Sequence, residues 1–198
     1  FKAYQQDDRL TEIKTRFFHD ALWISSMAIG LFLSLALISF NPKDPGWAFI
    51  DATPHITNLA GSAGAWVSSF LFTLIGIFAY TLPLICFYRA WVVFKGRKNA
   101  QPWNPLITLV RALGWVAFLV VGCALATVHL ASSQQGTAGG YLGISLSEWF
   151  FPIFGLTGST IILILLWFLS LTLAAHISWL TIVDHIGEWV FNSLIRIR

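Results

Sequence analysis

Four long stretches of the chain carry no charged side chain, and this feature constrains the fold more than any other. They run over residues 21–42, 52–88, 112–147 and 149–183. Each is long enough for one helix of the ~20 residues that cross the hydrocarbon core of a bilayer. Only 11% of the residues are charged, against roughly 25% in soluble domains, so too few charges exist to coat a water-soluble globule. The sequence therefore predicts an all-α polytopic membrane protein with four transmembrane helices.

Turn-forming and polar residues set the expected limits of these spans. Residues 1–20 carry apolar side chains at helical spacing between charges, which predicts an amphipathic segment at the membrane surface. Proline and glycine at 42–46 and at 54–64 argue against lipid-exposed helix there, because unpaired backbone is not tolerated in hydrocarbon. Pro83 is expected to kink the second span. The four predicted spans are residues 21–40, 66–87, 112–131 and 159–181.

Two further segments are expected to be amphipathic interfacial helices. In residues 141–152 large apolar side chains surround a single acid, Glu148. Residues 182–194 have one apolar and one polar helical face. We expect this second helix to leave the bilayer, lie along its surface and lead, within residues 182–198, towards a linker.

The distribution of basic residues predicts the orientation. The N-terminal segment holds four Lys or Arg, the 89–111 connection five and the C-terminal segment two, whereas Lys43 is the only one in the two remaining connections. Because basic residues are retained on the cytoplasmic side, both termini and the 89–111 connection are predicted to be cytoplasmic. Residues 41–58 and 132–158 are then predicted to lie outside.

The sequence offers no constellation for catalysis, for a metal or for a cofactor. Cys86 and Cys123 stand singly in apolar runs, which argues against a disulfide framework, a zinc site and a thiol oxidoreductase. The chain has no phosphate-binding loop, and a net charge of +3 is too small to indicate direct nucleic-acid binding. His129 and His176 fall within the predicted spans, and we expect each to be hydrogen-bonded to a neighbouring helix rather than to serve as a proton site. The chain is thus expected to be no enzyme.

Small residues recur at four-residue intervals in three spans, and such rows let helix backbones approach closely. They could pack the helices of one copy or join one copy to another. These candidate helix-packing residues are Ser26, Gly30, Ser34, Gly122, Ala126, Ser170, Ala174 and Ser178.

Aromatic and basic groups are the other candidate contacts. Large apolar side chains in the outer connections could anchor partner proteins, or could lie in the membrane interface. Basic residues of the 89–111 connection could contact acidic lipid or an acidic partner, or could only determine topology. The apolar candidates are Trp47, Phe49, Ile50, Trp149, Phe150 and Phe151, and the candidate lipid contacts are Lys95, Arg97 and Lys98.

Several short segments, in their order and with this four-span topology, carry a family resemblance. Together they resemble the N-terminal four-span membrane domain of the FtsK-type DNA translocases of bacterial cell division. The segments are SFNPKDPGW at 39–47, NLAGSAGAW at 58–66, GIFAYTLP at 76–83, GGYLG at 139–143 and the Ser178-Trp179 region.

This resemblance implies an inner-membrane anchor and divisome scaffold at the division septum. Such a domain tethers a cytoplasmic hexameric ATPase that moves DNA and coordinates chromosome segregation with division. The implied partners are membrane lipid, other divisome membrane proteins and further copies of the chain, with DNA bound only through the motor. Because the sequence begins at Phe1 and stops at Arg198 without a motor, we expect it to be part of a longer reading frame. A small four-span transporter or channel subunit is the alternative, against which stands the lack of charge within the predicted spans.

Overall fold

The computed structural model describes residues 2–47, 56–96, 105–130 and 138–175, together with 184, 187 and 188, and for 2–16 and 18 it describes the backbone alone. The helices are α1 (Lys2–Ile38), α2 (Gly61–Ile75), α3 (Thr81–Gly96), α4 (Pro105–His129) and α5 (Gly140–Ala175). A 3₁₀ turn, Gly76–Tyr80, joins α2 to α3. No strand occurs in these ranges.

Four helical stretches are long and apolar enough to cross a membrane. They are His19–Ile38, Gly61–Lys95, Pro105–His129 and Gly140–Ala175. The predicted fold class, all-α and polytopic with four membrane-spanning helices, is therefore confirmed. The residue limits proposed from the sequence for each span stay predictions.

Helices α1 and α3 lie side by side in opposite directions. The rings of Trp23 and Phe94 are 6.1 Å apart, Gly30 lies against Phe87, and the Tyr80 hydroxyl donates a hydrogen bond to the backbone carbonyl near the end of α1. In these contacts the residue numbers rise along α1 while those of the α3 side fall, so the two helices are antiparallel. Helix α1 is continuous from Lys2 to Ile38, so the N-terminal segment prolongs the first span along the same helix.

Helix α2 crosses the end of α1 instead of running along it. Asn58, just before α2, donates a hydrogen bond to the carbonyl of Ala36. Phe72, near the other end of α2, lies 4.7 Å from the ring of Phe40. These two contacts fall close together, at and just beyond the end of α1, although about 16 Å of helix, from Gly61 to Phe72, lies between Asn58 and Phe72. We call this end of the bundle the outer end, following the predicted orientation, and the opposite end the inner end.

The break between α2 and α3 falls at Gly76, not at the proline expected to kink the helix. Gly76 has φ 57°, a value that favours glycine because it has no Cβ. The backbone of Ala138 lies so close that a side chain at Gly76 has no room, and the amide of Ile77 donates to the Ala138 carbonyl at 2.8 Å. Pro83 lies in the first turn of α3, where its missing amide hydrogen costs no helical hydrogen bond.

Helix α5 consists of two halves that meet at Gly155, where φ is 64° and ψ 179°. The second half runs antiparallel to α4. Along this pair, a side-chain nitrogen of His129 lies 3.1 Å from the Thr160 hydroxyl at the outer end. Gly114 lies against the backbone of Ala174 at the inner end.

The interior of the bundle is made mainly of small residues. Its apolar centre, in the outer half, contains Leu37, Ile75, Ala79 and Cys123. Many larger apolar side chains are exposed on the helices. This arrangement suits a lipid surround, because lipid solvates large apolar side chains while small residues let helices approach closely.

Candidate functional site at the outer end

A buried carboxylate organises the connection between α1 and α2. Asp44 is only 3% exposed. It accepts hydrogen bonds from the backbone amides of Thr57 and Asn58 at 3.0 and 2.9 Å, and from the Thr57 hydroxyl at 3.0 Å. The acid therefore holds the residues that lead into α2.

The side chain of Asn58 links the same segment to the end of α1. Its amide nitrogen donates to the Ala36 carbonyl at 2.8 Å, and its side-chain oxygen accepts from the amide of Ala60 at 2.9 Å. The Ser39 hydroxyl accepts from the Leu59 amide at 2.9 Å. These bonds satisfy backbone groups that a helix end leaves without partners. We call Ser39, Asp44, Thr57 and Asn58 the outer polar cluster.

An aromatic surface lies beside this cluster. Trp47 meets Trp66 and Phe70 edge to face, at centroid distances of 5.7 and 5.6 Å, while Trp66 and Phe70 stack at 5.9 Å. Trp47 is 57% exposed and Trp66 is 48% exposed. Three adjacent and partly exposed rings form an amphipathic anchor of the type found at protein and membrane interfaces.

Of the aromatic candidates predicted from the sequence, Trp47 belongs to this surface. Phe49 and Ile50 lie outside the described residues. Trp149 lies on the first half of α5 and is 76% exposed, and its neighbours Phe150 and Phe151 are half-buried. Among the described residues, no ring contact joins Trp149 to the first aromatic surface.

Helix α2 and the first half of α5, which carry these aromatic residues, nevertheless touch through their backbones. Gly140, at the start of α5, lies against Leu74, Ile75 and Gly76 at the end of α2. At the other end of this half of α5, the Ser159 hydroxyl donates to the Phe150 carbonyl at 3.1 Å, across the Gly155 break. Both candidate aromatic groups are thus carried on helices anchored at the outer end.

The candidate helix-packing residues mostly face other parts of the same chain or bond to their own helix. Ser26 is half-buried and Ala126 is buried, whereas Ser178 lies outside the described residues. Three others pack against another part of the chain: Gly30 against Phe87, Gly122 against Phe78 and Ala174 against Gly114. The hydroxyls of Ser34 and Ser170 donate hydrogen bonds within their own helices, to the carbonyls of Gly30 and Trp167 respectively. A role of these residues in self-association stays a prediction.

The two histidines of the predicted spans do not belong to the outer polar cluster or to the aromatic surface. His129 has the expected hydrogen-bond partner on a neighbouring helix, Thr160, and His176 lies outside the described residues. Within the part of the chain that the structure describes, no three His, Cys, Asp or Glu side chains lie close enough together to hold a metal ion.

Two groups of residues were missed by sequence reasoning. The outer polar cluster was not recognised as a site, although its members Asp44 and Asn58 stand in the two segments that carry the family resemblance. Arg89 and Arg111 were placed in a connecting loop, whereas the structure places them within α3 and α4. Lys95 is exposed in the last turn of α3, and Arg97 and Lys98 fall outside the described residues.

Comparison with known proteins identifies the family. A family model described as the 4TM region of the DNA translocases FtsK/SpoIIIE matches residues 15–187. The chain belongs to this family. What it matches is the membrane domain of FtsK and not its ATPase motor, so these residues form a non-enzymatic part of the family. Four membrane-spanning helices and FtsK membership make the chain part of a multi-pass inner-membrane protein.

Curated relatives agree with this assignment. The chain is 34% identical over 170 residues to the DNA translocase FtsK of Vibrio vulnificus, covering 82% of this chain and 17% of the relative. It is 34% identical over 164 residues to that of Pseudomonas syringae pv. syringae, and 32% over 163 residues to that of Pseudomonas putida, covering 81% of this chain and 20% of the relative in both cases. The chain thus spans about a fifth of the length of these relatives. No solved structure matches it significantly.

Proposed function

We propose that this chain is the inner-membrane anchor and divisome scaffold of a septal DNA translocase. It tethers a cytoplasmic hexameric ATPase that moves DNA, and so couples chromosome segregation to cell division. The observation that carries the proposal is the match of residues 15–187 to the 4TM region of the FtsK/SpoIIIE translocases. The curated relatives named DNA translocase FtsK support it.

The proposed orientation follows from charge. With eleven of the 12 Lys and Arg in the two terminal segments and the 89–111 connection, these parts lie in the cytoplasm. The C-terminal end then leads towards the motor, and the outer polar cluster and both aromatic groups face the periplasm.

The proposed scaffold surface is the outer end. An anchor that holds partners needs a surface whose shape is maintained without the partner. Hydrogen bonds from Asp44 and Asn58 tie the connection before α2 to α1, and the rings of Trp47, Trp66 and Phe70 are presented beside it. We propose that this aromatic surface contacts other membrane proteins of the division machinery.

A localisation experiment tests this proposal. The chain, carrying a fluorescent protein after Arg198, is produced in a Pseudomonas or Vibrio host, and fluorescence at division sites is compared with that along the side wall. We expect enrichment at the septum. The double variant Trp47→Ala with Trp66→Ala should lose most of this enrichment while remaining in the membrane.

The matched control is Trp91→Ala. Trp91 is also an exposed indole, at 63%, but it lies on α3 towards the inner end, so this variant should localise like the unchanged chain. Uniform membrane fluorescence of the unchanged chain contradicts the anchor proposal. If the Trp47/Trp66 double variant and Trp91→Ala show equal enrichment at the septum, the proposed role of the outer aromatic surface is contradicted. Ion flux into liposomes that depends on His129 or His176 would instead favour the transporter or channel alternative.

A further inference from the structure

A cavity of about 190 Å³ opens between α3, α4 and α5 in the inner half of the bundle. Two basic residues line it, Arg89 on α3 and Arg111 on α4. Tyr88 and Trp115 line it as well. None of the described residues that line the cavity is acidic, so its described lining holds two basic side chains and no carboxylate.

Arg89 lies within the apolar part of the bundle and not at its end. Arg89 lies on α3 between Phe87 and Phe94, which contact Gly30 and Trp23 of α1. It is therefore level with about Ala28, close to the middle of the apolar stretch His19–Ile38. A charge at this depth is costly unless it pairs with another group or extends towards the interface, and such a charge points to a functional role.

An apolar groove continues from the cavity towards the outer end. Its volume is about 290 Å³, and the side chains of Leu84, Ile85 and Phe118 are among those that line it. Tyr88 and Trp115 line both the cavity and the groove. Their rings meet edge to face at 5.7 Å, and the Tyr88 hydroxyl donates to the Ala175 carbonyl at 3.3 Å. The cavity and the apolar groove therefore adjoin at Tyr88 and Trp115, and we call the two together the recess.

We propose that this recess binds one anionic phospholipid of the membrane leaflet at the inner end. The phosphate lies between Arg89 and Arg111, and an acyl chain follows the groove past Tyr88 and Trp115. Guanidinium groups bind phosphate through paired, charge-assisted hydrogen bonds. The surrounding bilayer supplies the apolar part of the ligand, and basic pockets between membrane helices are a common setting for acidic lipid headgroups. This inference does not depend on the proposed partner at the septum.

Lipid binding is measured by native mass spectrometry of the purified chain released from detergent micelles. Phosphatidylglycerol is titrated as the anionic lipid and phosphatidylcholine as the zwitterionic one. Both lipids carry a phosphate that the arginines can bind, but the choline ammonium of phosphatidylcholine cancels its net charge and is repelled by two nearby guanidinium groups. We therefore expect phosphatidylglycerol to bind at least about tenfold more tightly. The double variant Arg89→Gln with Arg111→Gln should remove this preference.

Lys43→Gln is the matched control. It removes one positive charge from an exposed position at the outer end, outside the residues that line the cavity, and should change the affinity by less than about twofold because an exposed charge is screened. Circular dichroism spectra and melting curves check that each variant keeps its helical fold.

Three results would overturn the proposal. One is an unchanged chain that binds both lipids equally, and another is a loss of preference in Lys43→Gln as large as in the arginine double variant. The third concerns the source of the phosphate. If inorganic phosphate or the water-soluble glycerophosphoglycerol headgroup binds as tightly as the intact lipid, the recess is a soluble-anion site and not a lipid site.

Discussion

Replacing Asp44 by alanine is the sharpest test of the outer polar cluster. The substitution removes the acceptor of two backbone amides and one hydroxyl. Thr57 is exposed, so water replaces much of what its groups lose. Asn58 is only 5% exposed, so its amide stays buried without a partner, at a cost of about 1–3 kcal/mol. With the lost charge-assisted bonds to Thr57, we expect the free energy of unfolding to fall by about 2–4 kcal/mol.

The loss is measured by reversible unfolding in mixed micelles with increasing dodecyl sulfate, followed by circular dichroism. Hydrogen exchange locates it, because the amides of Asn58 and Leu59 should lose protection while those in the middle of α4 should not. Asp44→Asn keeps one acceptor oxygen and should fall between alanine and the unchanged chain.

Glu148→Gln is the matched control for this experiment. Glu148 is another carboxylate, on the first half of α5, but it is exposed, so its replacement should change the free energy of unfolding by less than about 0.5 kcal/mol. If Asp44→Ala costs no more than Glu148→Gln, the carboxylate does not organise the connection and our reasoning about the cluster is wrong.

Three further predictions concern other parts of the fold. Gly76→Ala should lower the free energy of unfolding by more than about 2 kcal/mol, because Gly76 has a positive φ and lies against the backbone of Ala138. Gly61→Ala should lower it by only about 1 kcal/mol, because the φ of Gly61 is also positive but its surroundings are open. Equal losses for the two variants in a denaturation experiment would contradict the close contact at Gly76. A double-mutant cycle of His129→Ala and Thr160→Val should give a coupling of about 0.6 kcal/mol, typical of hydrogen bonds between membrane helices, and a coupling indistinguishable from zero would rule out this bond. Orientation is tested by cysteine labelling in a background with Cys86→Ser and Cys123→Ser. Glu148→Cys should react with an impermeant maleimide in cells whose outer membrane alone is permeabilised, whereas Lys95→Cys should react only after the inner membrane is opened. The reverse pattern of labelling would show that the proposed orientation is inverted.

The number of membrane-spanning helices and the family could be predicted because both depend on local sequence. A charge-free stretch of sufficient length has few alternatives to a transmembrane helix. The segments at 39–47 and 58–66 are likewise contiguous, and they carried the family resemblance. The matches to the FtsK/SpoIIIE membrane region and the four long apolar helices confirm these two predictions.

The path of residues 61–96 could not be predicted in the same way. Hydropathy averages over this stretch and does not report backbone angles, so a break at Gly76 leaves no mark in it. The break depends on the backbone around Ala138 and Gly140, which is distant in sequence. Proline is a visible helix breaker, and Pro83 therefore attracted the prediction of a kink that the structure places at the glycine.

The outer polar cluster and the lipid recess were missed for a related reason. Asp44 lies two residues after Pro42 and directly before Pro45 and Gly46, a pattern typical of an exposed turn, and its burial arises from Thr57 and Asn58 folding back over it. Arg89 and Arg111 are far apart in sequence, and a chain read in one dimension does not bring them to a common cavity. In both cases the decisive contacts join residues from separate elements.

The uninterrupted course of α1 has a mechanical consequence. As a helix of 37 residues, it is about 55 Å long, whereas the hydrocarbon core is about 30 Å thick. A rod of this length reaches well beyond the bilayer. Its outer tip holds Asn58 through the Ala36 carbonyl, so a tilt of the rod would also move the aromatic surface beside that tip.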